Sequence, residues 1–252
     1  MAVIGIFDSG NGGLSVYREL VKILPGEHYV YYSDAANCPY GEKSALFIRR
    51  RARFITEFLL DKRADVIVVA CNTATAAAIQ SLREAYPDVP FVGMEPAVKP
   101  AALGTKTGVV GVLATAGTLK ASKYLQTRGL YTEGVRVVEH VGQGFVELVE
   151  KGLLDGPEVE STVRASLQPL LDEGADVIVL GCTHYPFLRP VIERIAGPGV
   201  QVIDPAPAVA RQTLRLLEGH DVPMGEGRGT VGLYTSGDLS ALHRFFDTCL
   251  NV

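Results

Sequence analysis

Two cysteines follow two nearly identical stretches of sequence, and a cysteine thiol can both remove and deliver a proton. Cys71 ends the stretch 64–71, and Cys182 ends the matching stretch 175–182. In both, Ala-Asp precedes an apolar run that is typical of a buried strand. We predict that each cysteine stands where a helix begins, because the positive end of the helix dipole would favour its thiolate. Such a thiol can act as a general acid or base near neutral pH.

A pair of equivalent thiols suits the inversion of a stereocentre. Inversion removes a proton from one face of a carbon and delivers a proton to the other face, and a single base cannot easily reach both. The repeated cysteine therefore predicts a symmetric acid/base pair, Cys71 and Cys182. Cys38 and Cys249 stand outside the repeat, and we interpret them as small buried apolar residues.

The cysteines belong to a longer internal repeat, which indicates two similar units. Residues 64–71 match 175–182 at an offset of 111, and Glu95-Pro96 matches Asp204-Pro205 at an offset of 109. Residues 4–6 also resemble residues 110–112 at an offset of 106. Three landmarks in the same order at nearly constant spacing make chance a poor explanation.

Short apolar runs alternate with segments of helical spacing, which predicts parallel sheets covered by helices on both faces. We predict strands over residues 3–7, 29–32, 66–70, 91–94, 109–113, 135–139, 177–181 and 200–203, and helices over 14–24, 44–60, 75–85 and 157–171. The expected fold class is α/β, with two pseudo-symmetric parallel-sheet domains. Open α/β sheets bind ligands at the carboxyl ends of their strands, so we expect the active site in the cleft between the domains.

Polar residues flank both thiols. Asn72 and Thr73 follow the first cysteine, and Thr183 and His184 follow the second. The amide and the hydroxyls can donate hydrogen bonds to a carboxylate, and a histidine beside a thiol can tune or relay its proton.

The first predicted strand ends at Asp8 and Ser9, before the Gly-rich turn of residues 10–13. A turn of this kind lets the backbone approach a ligand closely. An aspartate in this position is also a common helix cap, so both roles stay open for Asp8.

Composition excludes several other classes. The chain has 252 residues, of which 47% are apolar and 21% charged, and its net charge is −4. The sequence has no basic block, so nucleic acid and anionic membranes are not expected partners. It shows neither a signal peptide nor an apolar run of about 20 residues, so we expect a cytoplasmic protein.

The chain resembles the glutamate racemases of the aspartate/glutamate racemase superfamily from residue 4 to about residue 209. The matching stretches are residues 5–13, 39–41, 70–75, 93–97 and 180–186, and the two around the cysteines are the most specific. Together with the repeat, the resemblance predicts a first domain of residues 1–96 and 208–252 and a second of residues 97–207.

The resemblance implies a role for each matching residue. Cys71 and Cys182 would deprotonate opposite enantiomers of glutamate, Asp8 and His184 would assist the thiols, and Glu150 would support His184. The implied substrate-binding residues are Asp8, Ser9, Tyr40, Gly41, Asn72, Thr73, Thr118, Thr183 and His184. Residues 142–149 depart from the family pattern, which leaves open whether Glu147 or Glu150 is the assisting acid.

The resemblance also implies a biological setting. No pyridoxal phosphate, other cofactor or metal would be needed, and the protein would be a homodimer. Its product, D-glutamate, would feed peptidoglycan synthesis and so support cell wall biogenesis and cell shape.

Four alternatives remain at this point. The enzyme could racemise aspartate or a related acidic amino acid. The chain could be an oxidoreductase, because it has a partial dinucleotide-binding fingerprint. That fingerprint consists of Gly10, Gly12 and Ser15, where serine replaces the third glycine, with Asp34 after the next strand. The chain could also be a two-lobed binding protein without catalysis. Finally, Cys71, Cys182 and His184 are residue types that can hold zinc.

Overall fold

The chain forms two compact units, each built on its own sheet. The structure, a computed structural model, describes residues 1–131 and 134–250. Unit 1 comprises Met1–Met94 and Ala206–Val252, and unit 2 comprises Glu95–Pro205. The units thus divide at 94/95 and 205/206, where the sequence predicted 96/97 and 207/208.

The strands in chain order are β1 (Val3–Asp8), β2 (His28–Ser33), β3 (Val66–Val69), β4 (Phe91–Gly93), β5 (Val109–Ala114), β6 (Arg136–Val141), β7 (Val177–Gly181), β8 (Gln201–Ile203) and β9 (Thr230–Thr235). The helices are α1 (Leu14–Ile23), α2 (Ala45–Asp61), α3 (Asn72–Ala85), α4 (Val98–Gly104), α5 (Ala116–Leu119), α6 (Ser122–Tyr131), α7 (Phe145–Glu150), α8 (Pro157–Asp172), α9 (Arg189–Ala196), α10 (Ala206–Gly219) and α11 (Leu239–Leu250). Short 3₁₀ helices span Ala35–Asn37, Tyr40–Glu42 and Tyr185–Leu188.

Both sheets are parallel, and they share one strand order. Unit 1 has the order β4-β3-β1-β2-β9, and unit 2 has β6-β5-β7-β8. Counted from its opposite edge, unit 2 is β8-β7-β5-β6, which matches the first four strands of unit 1. The predicted fold class, α/β with two parallel-sheet domains, is confirmed.

The repeat extends to how helices pack on the central strands. A Cβ atom on Gly5 of β1 would lie 3.2 Å from Leu59 of α2, and a Cβ on Gly111 of β5 would lie 3.1 Å from Leu170 of α8. A glycine in the same place lets the equivalent helix approach each sheet. The two units therefore share this helix packing as well as their strand order.

The sequence missed β9. This strand pairs in parallel with β2, from His28↔Thr230 to Ser33↔Thr235, and forms the edge of the sheet. Its apolar run, residues 231–234, is short and is interrupted by Gly232, so it does not stand out as a strand in the sequence.

Across the described residues, no helix combines the length and the apolar character that a membrane crossing would require.

Candidate active site

Cys71 lies where β3 ends and α3 begins. Its backbone is extended (φ −146°, ψ 117°), and its Sγ accepts a hydrogen bond from the Ala74 N–H at 3.4 Å, so the sulfur caps the helix. The side chain is buried, with 4% of its surface exposed. The thiol also donates to Ser9 Oγ at 3.7 Å. A sulfur at this end of a helix is stabilised as an anion by the helix dipole and the unpaired N–H groups.

Asp8 ends β1 and fixes the Gly-rich turn that follows it. Its Oδ2 accepts the N–H groups of Gly10 at 3.3 Å and of Gly13 at 2.9 Å. A Cβ atom on Gly13 would stand 2.7 Å from the Asp8 Cβ, so only glycine fits there. The capping role is therefore present, and the turn holds Ser9 against the Cys71 thiol.

Asn72 and Thr73 form the first turn of α3 and are buried beside Cys71. Within the described residues, neither the amide nitrogen nor the amide oxygen of Asn72 has a hydrogen-bond partner, although both atoms are buried. A buried polar group without a partner costs about 1–3 kcal/mol. A ligand with both a donor and an acceptor would remove that cost.

Tyr40 and Gly41 lie in a short 3₁₀ helix after β2. The Tyr40 hydroxyl donates to Asp34 Oδ2 at 2.5 Å, and Arg51 of α2 donates to both oxygens of the same carboxylate, at 3.0 and 2.8 Å. Burial, followed by the hydrogen bond to Asp34, raises the pKa of Tyr40 far above its ordinary value, so the phenol stays neutral. Tyr40 packs in the same buried apolar cluster as Cys71.

The sequence did not identify the Asp34–Arg51 pair. It considered Asp34 only as the acidic residue of a dinucleotide fingerprint, where the carboxylate would bind a ribose. Its carboxylate is instead fully buried and bonded to Tyr40, Asn37 and Arg51. The only signal in the sequence was Arg51, two turns into the predicted helix 44–60 and close to the Pro-Tyr-Gly turn of residues 39–41. That spacing does not by itself indicate a contact with Asp34.

Cys182 follows β7 directly, as predicted, but no α-helix begins there. The Tyr185 N–H donates to the Cys182 carbonyl at 3.1 Å, and the 3₁₀ helix Tyr185–Leu188 follows. The expectation that Cys182 stands at an α-helix N-terminus was wrong, because a turn and the 3₁₀ helix Tyr185–Leu188 follow it and the next α-helix begins only at Arg189. Cys182 is buried, with 6% of its surface exposed.

His184 lies next to the second thiol and is buried. Its Nδ1 is 3.7 Å from Cys182 Sγ, and its Nε2 is 2.6 Å from Glu150 Oε1. Burial alone lowers the pKa of this imidazole, but the hydrogen bonds to Cys182 and Glu150 outweigh burial. The net pKa of His184 is therefore well above its ordinary value, which favours an imidazolium between Cys182 Sγ and Glu150.

Glu150 is the acid that contacts His184. It is the last residue of α7, whereas Glu147, one turn earlier, is exposed. Thr183 Oγ1 lies 3.5 Å from His184 Nδ1 on the other side of the ring.

Thr118 is buried in α5, just after β5. Its N–H donates to Thr115 Oγ1 at 3.3 Å, and the two hydroxyl oxygens are 3.1 Å apart.

In each unit, the candidate residues follow the carboxyl ends of three neighbouring strands. In unit 1 these strands are β1, β2 and β3, and the residues are Asp8, Ser9, Tyr40, Gly41, Cys71, Asn72 and Thr73. In unit 2 they are β5, β6 and β7, and the residues are Thr118, Glu150, Cys182, Thr183 and His184. Each unit thus places one buried thiol, with polar neighbours, where α/β sheets bind ligands.

The remaining two cysteines differ. Cys38 is only partly buried, so it is not the small buried residue that the sequence predicted. The side chain of Cys249 lies outside the described residues, and its interpretation stays a prediction.

Known proteins are similar to this chain over most of its length. The family model of the Asp/Glu/hydantoin racemases matches residues 4–213. The chain belongs to the Asp/Glu/hydantoin racemase family. A glutamate racemase of Ectopseudomonas mendocina is 48% identical to it over 241 residues, which cover 96% of this chain and 92% of that protein.

Solved structures of the same family agree. A glutamate racemase of Bacillus anthracis superimposes with a TM-score of 0.89 at 33% identity, covering 100% of this chain and 94% of that one. The Escherichia coli glutamate racemase, solved with L-glutamate and the activator UDP-MurNAc-ala, gives a TM-score of 0.87 at 35% identity and covers 97% of this chain and 95% of that one. These relatives confirm the predicted resemblance and the predicted enzyme class, a glutamate racemase of this racemase family.

Proposed function

We propose that the protein interconverts L- and D-glutamate without an added cofactor, with Cys71 and Cys182 as the two acid/bases. One observation carries the proposal: each unit places a buried thiol directly after the corresponding strand, β3 or β7. Relatives that are glutamate racemases support the substrate, since one of them was solved with L-glutamate.

The proposed reaction moves one proton at each thiol. One thiolate removes the α-proton of the substrate, and the bonding electrons stay on the α-carbon as a carbanion. The other thiol then delivers a proton to the opposite face of that carbon and is left as a thiolate. The net result is the opposite enantiomer and an enzyme with its thiol and thiolate exchanged, ready for the reverse direction.

The weak acidity of the α-proton is the main barrier, because no cofactor delocalises the carbanion. Donors aimed at the substrate carboxylate would spread this charge. The unpartnered Asn72 amide is the best placed of these donors, with Ser9 and Thr73 beside it. Thr118 and Thr183 supply hydroxyls in unit 2, and Tyr40 and Gly41 supply a turn in unit 1.

Asp8 and His184 would assist the thiols in different ways. His184 lies 3.7 Å from Cys182 Sγ and can stabilise its thiolate as an imidazolium, with Glu150 on the far side of the ring. Asp8 acts on the Cys71 side through the turn that carries Ser9.

The family resemblance supports a wider proposal about the cell. The enzyme would act in the cytoplasm as a homodimer and supply D-glutamate for peptidoglycan synthesis, and so for cell wall biogenesis and cell shape.

Exchange of the α-proton in D2O tests the proposal directly. Proton NMR follows L-glutamate and D-glutamate separately, with no cofactor added, for the wild type and for Cys71→Ala and Cys182→Ala. We expect the wild type to exchange and invert both enantiomers, and each variant to lose racemisation by about 10²–10⁴-fold, the usual contribution of a general acid or base.

Cys249→Ala is the matched control, because it removes a thiol that follows neither β3 nor β7, and it should keep wild-type turnover. Exchange of aspartate but not glutamate would leave the two-thiol chemistry in place and correct the substrate. Absence of exchange with every acidic amino acid would refute the racemase mechanism.

A further inference from the structure

The Asp34 carboxylate joins three segments of unit 1 that are far apart in sequence. It follows β2, it accepts the Tyr40 hydroxyl from the next turn, and it accepts two hydrogen bonds from Arg51 of α2. It is fully buried, whereas 23% of the Arg51 side chain is exposed. Burial raises the pKa of Asp34, but the hydrogen bonds from Arg51, Tyr40 and Asn37 lower it more, so the net pKa lies below its ordinary value and the carboxylate stays ionised.

A fourth segment, at the end of β9, is tied to the 3₁₀ helix that directly follows Asp34. Ser236 makes this connection. Its Oγ accepts the Ala36 N–H at 3.2 Å, and its own N–H donates to the Ser33 carbonyl at 3.0 Å. Residues 214–252 lie beyond the match to the family model, yet they help to hold the segment that leads to Tyr40.

The held segment has little regular structure of its own. Between β2 and α2 it contains only the 3₁₀ helices Ala35–Asn37 and Tyr40–Glu42. A short 3₁₀ helix has few internal hydrogen bonds to fix its position. The side-chain bonds to Asp34 therefore decide where Tyr40 and Gly41 lie.

We propose that Arg51 and Ser236 are positioning residues for substrate binding. Arg51 acts through Asp34, and Ser236 acts through the Ala36 N–H, on the segment that carries Tyr40 and Gly41. The proposal rests on the proposed function, since it takes Tyr40 and Gly41 as part of the substrate site. Neither positioning residue needs to touch the substrate.

The geometry explains why arginine stands at position 51. The guanidinium donates in parallel from Nε and Nη2 to the two carboxylate oxygens, which fixes the carboxylate plane as well as its charge. A lysine could supply the charge but only as a single point donor. The carboxylate plane in turn decides where the Tyr40 hydroxyl can bind.

The test compares Arg51→Lys, Arg51→Met and Arg53→Met. Arg53 lies on the same helix, is largely exposed and pairs with Glu57, so its variant is the matched control. We expect Arg51→Met to raise the KM for glutamate about 10–100-fold, since charged hydrogen bonds of this kind contribute about 1.5–3 kcal/mol. The fall in kcat should be smaller, Arg51→Lys should recover part of the loss, and Arg53→Met should match the wild type.

A double-mutant cycle separates positioning from a general structural role. Under the proposal, Tyr40→Phe and Arg51→Met disturb the same contact. The fold-increase in KM of the double variant should therefore be smaller than the product of the two single fold-increases. A double variant whose fold-increase in KM equals the product of the single ones would overturn the proposal, and so would an unchanged KM in Arg51→Met. If Arg51→Met proves unfolded by circular dichroism, Ser236→Ala carries the test, with a several-fold rise in KM expected and no rise refuting it. Turnover of glutamate by the wild type tests the proposed function separately.

Discussion

The two units carry the same four-strand arrangement, yet their thiols have different partners. Cys71 caps an α-helix and bonds to the neutral hydroxyl of Ser9. Cys182 precedes a 3₁₀ helix and lies beside His184, which is paired with Glu150. One thiol lies at the positive end of a helix dipole, and the other lies beside a histidine that is held as a cation. A duplicated fold can thus keep the place of a buried thiol while the groups around that thiol change.

Removal of the side chains that contact the two thiols should have the largest effects on the rate of racemisation. His184→Asn should slow racemisation about 10²-fold or more, and Ser9→Ala less, because an imidazolium stabilises a thiolate more than a hydroxyl does. L- and D-glutamate have equal free energies, so kcat/KM must fall equally in both directions.

Isotope effects distinguish the two variants. With α-deuterated substrates, His184→Asn should raise the isotope effect for the enantiomer that Cys182 deprotonates and lower it for the other. Ser9→Ala should shift the asymmetry in the opposite direction. Equal isotope effects for both enantiomers in both variants would contradict the assignment of one partner to each thiol.

Glu150→Gln should lower turnover less than His184→Asn does, and it tests the role of the Glu150–His184 contact in unit 2. Glu150 helps to raise the pKa of His184, so loss of its charge lowers that pKa. The imidazolium then loses its proton at a lower pH, and the alkaline fall in turnover should move toward neutral pH with a decrease of about tenfold at mid-range. Glu147→Gln is the control, because Glu147 is exposed on the same helix. An equal shift in both variants would show that long-range charge, and not the contact with His184, is responsible.

The smallest expected effects concern the repeated aspartate before β3 and β7. Asp176 accepts hydrogen bonds from Thr105 Oγ1 and from the Lys106 and Thr107 N–H groups, whereas Asp65 accepts the Val3 N–H. Asp176→Ala should therefore lower the free energy of unfolding by about 2 kcal/mol and Asp65→Ala by about 1 kcal/mol. Urea unfolding measures both.

The pH dependence of Asp176→Ala provides a check. Partial burial alone raises the Asp176 pKa, but the hydrogen bonds from Thr105, Lys106 and Thr107 lower it more, and the net pKa lies below 3.8. The stabilising effect is thus present above that value and is lost as the pH falls through the folded-state pKa. The difference between variant and wild type should shrink below about pH 4; a difference that persists there would rule out the ionised carboxylate as its source.

The sequence predicted most of the fold because the repeat and the apolar runs are local signals. It placed eight of the nine strands that the described residues form, and it found both thiols because each cysteine comes within two residues of the end of a predicted strand. It could not find the Asp34–Arg51 pair, since the two residues are 17 positions apart and meet only when α2 packs on the sheet. Nor could it choose between Glu147 and Glu150, because one turn of α7 decides which carboxylate faces His184.

The pairing of β9 with β2 has a consequence for the order in which the protein acquires its structure during synthesis. All of unit 2 is synthesised as one continuous segment, before residue 230 is added. The first sheet begins at residue 3, but its fifth strand, β9, is synthesised only from residue 230 onward. Domains generally fold as units during synthesis. The Cys182 unit can therefore be complete while the Cys71 unit still lacks its edge strand, so a nascent chain that has emerged from the ribosome only as far as residue 220 would carry a complete second unit and an incomplete first unit.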